Sequence, residues 1–135
     1  MDTGSPCPAI HSDQRRLLCA YYVSARPLPE GTVAILRFDG VLQFRLGYPN
    51  DEALHGHPLA KFGLKHYAAC FVENSPLIAE IENQNRVHSA FRPGMYEKFR
   101  HWVITFHDET LEVVALRAEL VGTPQLPPHQ AVCES

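Results

Sequence analysis

Apolar positions along this chain alternate, or run unbroken over short stretches, in several segments, and recur at helical spacing in one. The first pattern predicts strands and the second a helix. The run "RRLLCAYYVS" is apolar, rich in aromatics, and stops before Pro27 and Pro29, so a strand is the better reading, although a short helix would also fit. In "TVAILRF-DG-VLQFRLG" two β-type runs flank Asp39-Gly40, the dipeptide favoured in a type I′ turn, and residues 32–47 are predicted to form a hairpin. Val33, Ile35, Leu42, Phe44 and Leu46 then share one face, while Ala34, Leu36, Phe38 and Val41 make the other partly apolar. A hairpin of this kind is expected to be covered on both sides. "GYPNDEAL" reads as a turn and a brief helical start with Asn50 as N-cap, and "KHYAACFVE" as a strand. "NSPLIAEIENQN" reads as a helix over 75–85, with Ser75 as N-cap, Pro76 in the first turn, and Leu77, Ile78 and Ile81 on one stripe. So short a helix must pack on a sheet to persist. "KFRHWVITF-HDET-LEVVALRAEL" is predicted to be a second hairpin, over 98–120. The expected class is α+β: an antiparallel sheet built from two hairpins, with one or two short helices packed on it.

Prolines gather at both ends, in "GSPCPAI" and "GTPQLPPHQAVCES". On that ground residues 1–14 and 122–135 are expected to be flexible tails around a single globular domain over 15–121. A chain of 135 residues with 45% hydrophobic content suffices for one real core. The net charge of −3 gives no basic footprint, so nucleic acid is not an expected partner. No segment approaches the length of an apolar membrane span, and the opening residues contain no signal-like apolar run. The expectation is a cytoplasmic protein without a membrane partner. Its four cysteines form no CxxC pair and are expected as free thiols.

Eight histidines in 135 residues are the compositional anomaly. His55 and His57 stand two apart in a His-Gly-His-Pro step. Gly56 and Pro58 argue for extended backbone, in which side chains two apart share a face. On an α-helix they would diverge by about 200°. The pair is therefore a candidate for one metal ion, and the competing reading is a loop histidine bonded to a carbonyl beside a solvated one. With Asp108-Glu109 at the tip of the second hairpin, Thr105 pairs Glu112, and His107 lies diagonal to Glu112 on the same face. That makes His107 and Glu112 a candidate pair, with the glutamate as acid–base partner, orienter or fellow ligand. The competing reading is a solvated polar patch at the hairpin end, and a different turn length would alter the register. His101 lies on the same face six residues away, about 20 Å along an extended strand, and is expected to be outside any site of His107. His66 is expected as a hydrogen-bonded core histidine, and His88 as a helix-end group or a carboxylate binder. Cys70, in "YAACFV", is expected to be buried and inert.

The runs "PNDEALHGHPL", "GLKHY", "VENSPLI", "NRVH" and "HWVITFHDETLEVVA" together resemble a family of small uncharacterised bacterial proteins. The resemblance implies no activity, cofactor or catalytic residue, so function must be argued from the residues.

Three readings follow. The first is a small-molecule enzyme with a pocket lined by His55, His57, His107 and Glu112. Its metal ligands would be His55, His57 and His107, a donor set suited to zinc or iron. The second is a non-catalytic small-molecule binding protein using the same pocket. The third is a protein-interaction module of the inhibitor or immunity type. Short polar groups drawn from separate segments put the enzyme first.

Overall fold

Asp39 and Gly40 do not turn the chain back on itself; they carry it round a corner between two sheets. In the computed structural model, which describes every residue except Thr3, eight strands form two antiparallel four-stranded sheets. The first contains β1 (Ala9–Ser12), β2 (Arg16–Tyr22), β3 (Val33–Asp39) and β8 (Arg117–Gly122), in the order β1-β2-β3-β8. The second contains β4 (Gln43–Gly47), β7 (Thr110–Ala115), β6 (Arg100–Thr105) and β5 (Ala69–Val72), in the order β4-β7-β6-β5. With α1 (Pro76–Asn85) and α2 (Pro128–Glu134), the class is α+β with short helices.

The predicted hairpin over 32–47 is corrected by this topology. β3 pairs β2 and β8, whereas β4 pairs β7. Since β3 runs into β4, and β7 into β8, the two pairs form one long antiparallel ribbon bent at its middle. Leu116 N–H bonds Asp39 C=O at 3.0 Å and Leu42 N–H bonds Val114 C=O at 2.9 Å, so pairing continues round the bend. Gly40 sits at the corner with φ +67°, and a Cβ there would stand 2.6 Å from the Leu116 side chain. Asp-Gly is a sound signal for positive φ; what it cannot encode is whether the following strand returns to its predecessor.

The alternation of residues explains the layers. Leu17, Cys19 and Phe38 from the first sheet meet Ile104, Leu111 and Val113 from the second. On its other face the first sheet offers Leu18, Ala20, Val33 and Ile35 to Ala131 and Val132 of α2. The second sheet's outer face packs Val114 against Leu77 and Ile81 of α1. Ser75 caps α1 as expected, its hydroxyl accepting from Ile78 N–H at 3.1 Å, with Pro76 in the first turn.

Both segments expected as tails contain regular elements, β1 in the first and α2 in the second. β1 lies along β2, and α2 supplies the apolar cover over the first sheet. The prolines that suggest flexibility include Pro128, which opens α2, where a missing N–H costs nothing. Among the described residues, no helix is long and apolar enough to cross a membrane.

Replacing Gly40 with alanine is expected to lower stability by about 1–3 kcal/mol, because positive φ and the Leu116 contact both penalise a side chain. Urea unfolding of Gly40→Ala measures it, and an unchanged midpoint would contradict the tight corner.

Candidate functional site

Two polar clusters are built on the outer face and end of the second sheet. The first is buried and centres on Glu112. β6 and β7 pair Thr105 with Thr110 and Val103 with Glu112, and Phe106 N–H bonds Glu109 C=O at 2.9 Å. The tip is therefore His107-Asp108, not Asp108-Glu109, and the ladder moves by two positions. Glu112 keeps its expected face but leaves the neighbourhood of His107 for that of His101. One carboxylate oxygen accepts from His101 Nε2 at 2.9 Å. The other accepts from Arg45 Nε at 2.7 Å and lies 3.3 Å from His57 Nε2.

The tautomers follow from the partners. Leu59 N–H donates to His57 Nδ1 at 3.0 Å, so the ring proton of neutral His57 lies on Nε2, facing Glu112. His101 must donate from Nε2 to the carboxylate, so its Nδ1 accepts from the Ser75 hydroxyl at 2.8 Å, while that oxygen takes the Ile78 N–H. Every group in the chain from Ile78 to Glu112 is satisfied. Burial pushes the Glu112 carboxyl up, but the bonds from His101 and Arg45 outweigh it and bring it down to about 2. Four segments meet there: β4, the loop after it, the start of α1, and the β6–β7 pair. His57, Ser75, His101 and Glu112 are all buried.

The second cluster is at the surface. The short 3-10 helix Asp51–Gly56, capped by Asn50, begins beside the β6–β7 tip, with Asp51 N–H bonded to His107 C=O at 2.9 Å. The Thr105 hydroxyl donates to Lys65 C=O at 2.8 Å and accepts from Ala68 N–H at 3.0 Å. These bonds hold the 65–68 turn against the strand end, with Tyr67 at φ +51°. The Tyr67 hydroxyl donates to Asp51 Oδ2, and His107 Nδ1 lies 3.0 Å from the same oxygen and 3.1 Å from the phenol oxygen. The bond from Tyr67, followed by the charge of His107, holds the Asp51 carboxyl below its ordinary value, although partial desolvation opposes it. The same bond pushes the Tyr67 phenol up.

Because the phenol proton is committed to Asp51, both neighbours of His107 Nδ1 are acceptors, so neutral His107 must carry its proton there. Its Nε2 lone pair is left free, on a side chain that is 41% exposed, with Asp108 3.9 Å away. The expected partner of His107 is Glu112; the structure supplies Asp51 in its place.

The expected metal set is not assembled. His55 lies within the 3-10 helix and is exposed, so the extended His-Gly-His geometry does not form. His57 turns inward to Glu112 and His107 turns to Asp51. Among the described residues, no group of three or more His, Cys, Asp or Glu side chains is arranged to hold a metal. Nor do these residues line either of two surface clefts. One of about 660 Å³ beside α1 is bordered by Ser75, Ile78, Tyr96 and Phe99, and one of about 560 Å³ beside β5 by Leu59, Phe62 and Phe71. His66 is exposed rather than in the core, its Nε2 donating to Asp51 C=O at 2.9 Å. Cys70 is likewise exposed at an edge strand. Comparison of the chain with family models, curated proteins and solved structures finds no match.

Replacing Glu112 with glutamine should cost about 3 kcal/mol near neutrality, since one partner of a buried charged set is lost. A carboxyl whose folded value lies below the unfolded one stabilises above the unfolded value and loses that effect on acidification. The difference between wild type and Glu112→Gln should therefore shrink as pH falls from 4.5 towards about 2. Urea unfolding across that range checks it; a difference that holds constant would contradict the assignment.

Proposed function

We propose that this protein is an enzyme of acid–base type acting on a small molecule, with His107 as general base and Asp51 as the group that orients it. The observation that carries the reading is the forced position of the His107 proton. A carboxylate and a committed phenol hold it on Nδ1, so the basic nitrogen faces outward. A histidine backed in this way can take a proton from a water or hydroxyl as that oxygen attacks an electrophilic carbon or phosphorus. Asp51 then stabilises the imidazolium, which returns the proton to the leaving group. Tyr67 is a positioning residue: its hydroxyl ties down Asp51 and its ring lies nearly parallel to the imidazole, 12° between planes.

Glu112 takes a different part from the one its sequence suggests. Closed off by His101, His57 and Arg45, it holds the frame on which Asp51 and His107 sit. The small-molecule ligand approaches His107 from open solvent, since its side chain is 41% exposed and lines neither of the two clefts.

The test is turnover of a panel of activated esters, phosphodiesters and lactones. Against a substrate turned over by wild type, His107→Ala and Asp51→Asn should each lose about 10²–10⁴-fold in kcat. Tyr67→Phe should lose less, and His55→Ala nothing. Full activity in folded His107→Ala would overturn the reading. Saturable binding that leaves every substrate unchanged would replace it with the binding-protein reading.

A further inference from the structure

The edge of the first sheet is complementary to itself. β8 is that sheet's outermost strand, its residues 117–121 are all exposed, and on the face shared with α2 it presents Arg117 and Glu119. Each stands opposite a charge on β3: Arg117 faces Asp39, and Glu119 faces Arg37. Arg16 of β2 faces Asp39 from the other side. Ion pairs link Arg37 to Glu119 at 2.9 Å, Arg37 to Asp39 at 3.0 Å, Arg16 to Asp39 at 3.3 Å and Arg117 to Asp39 at 3.5 Å. The face is a checkerboard whose outermost column is β8.

We infer that two copies of this chain associate by antiparallel pairing of β8 with β8, centred on Ala118, into a continuous eight-stranded sheet. In that register Arg117 lies opposite Glu119 of the second copy, and Glu119 opposite its Arg117. The row Arg16–Asp39–Arg117 then continues into Glu119 and Arg37 of the other chain, so each charge directly faces an opposite one across the junction. On the other face Leu120, 57% exposed, lies beside the junction next to Ala118. Ala118 meets itself on the two-fold axis, where a small side chain lets the backbones pair. Isologous contact of this kind closes after two copies.

Other registers fail on the same chemistry. Centring on Arg117 or on Glu119 sets like charges against each other, which is unfavourable for directly opposed residues. An intervening register sets Arg117 and Glu119 beside Ala118 and Leu120, mixing charged and apolar faces. An unpaired edge strand is an open template for another strand, and alternating charge protects it only against edges that do not match.

Sedimentation of the full chain at low salt tests the pairing. Wild type should be a dimer. Arg117→Glu and Glu119→Arg should each weaken self-association about tenfold or more, because each sets two like-charge pairs across the axis. An equimolar mixture of the two variants should regain the dimer. One chain then carries only acidic side chains at positions 117 and 119 and the other only basic ones, so both cross-axis pairs are again of opposite charge. Ala118→Cys, in an otherwise native chain, should form an intermolecular disulfide well above the wild-type background from its exposed cysteines. The Cα separation expected across such a pair, about 4.5–5.5 Å, lies within disulfide range. That crosslink keeps the test valid should either charge variant fail to fold. A monomeric wild type, a dimer indifferent to both charge variants, or Ala118→Cys without excess crosslinking would each overturn the inference.

Discussion

A carboxylate sealed from water has to be answered by donors from the chain, and at Glu112 those donors come from segments far apart in sequence. Arg45 arrives from an edge strand, His57 from the loop behind it, and His101 from the neighbouring strand. Behind His101 stands Ser75, which also caps a helix. Removing His101 leaves one Glu112 oxygen and the Ser75 hydroxyl without their buried partner, and such losses exceed those of ordinary surface pairs. The arrangement therefore ties the loop and the start of the helix to the strand pair through one connected set of contacts.

The surface cluster inherits that placement. The 3-10 helix that begins with Asp51 ends at Gly56, and the residue after it is His57, buried against Glu112. One end of a six-residue element is anchored inside and the other is held beside the β6–β7 tip by the Asp51 N–H bond to His107. The threonine hydroxyl at the strand end fixes the Tyr67 turn in the same way. Preorganisation of the Asp51–His107 pair thus combines a backbone bond with the hydroxyls of Thr105 and Tyr67.

Signals in the sequence are legible where the physics is local. The Ser75–Pro76 start of α1, the Asn50 cap and the antiparallel β6–β7 pair rest on capping and alternation, and these are short-range. Long-range choices are not legible. Asp39-Gly40 announces positive φ in either a hairpin or a sheet corner, and the difference lies in a partner strand over seventy residues away. The candidate site turns on register: a turn one residue earlier hands Glu112 from His107 to His101. Thr105 and Thr110 offer a cue to it, as a residue pair suited to facing positions on adjacent strands. Asp51 and Tyr67 carry no such cue, because neither lies within hydrogen-bonding reach of His107 until the loops close.

The bent ribbon also bears on how the chain reaches its native state. Each sheet borrows a strand from the last quarter of the sequence, β8 for one and β7 for the other. Neither sheet is complete until residues beyond 110 have joined it, and closing the ribbon bridges about sixty residues between Gly47 and Thr110. Topologies dominated by such distant pairings are slow to form. During synthesis the apolar faces of β2 and β3 emerge from the ribosome well before the residues of β6, β7 and α2 that cover them. Early sequence waits on late sequence, and the newly made chain is at its most vulnerable in that interval.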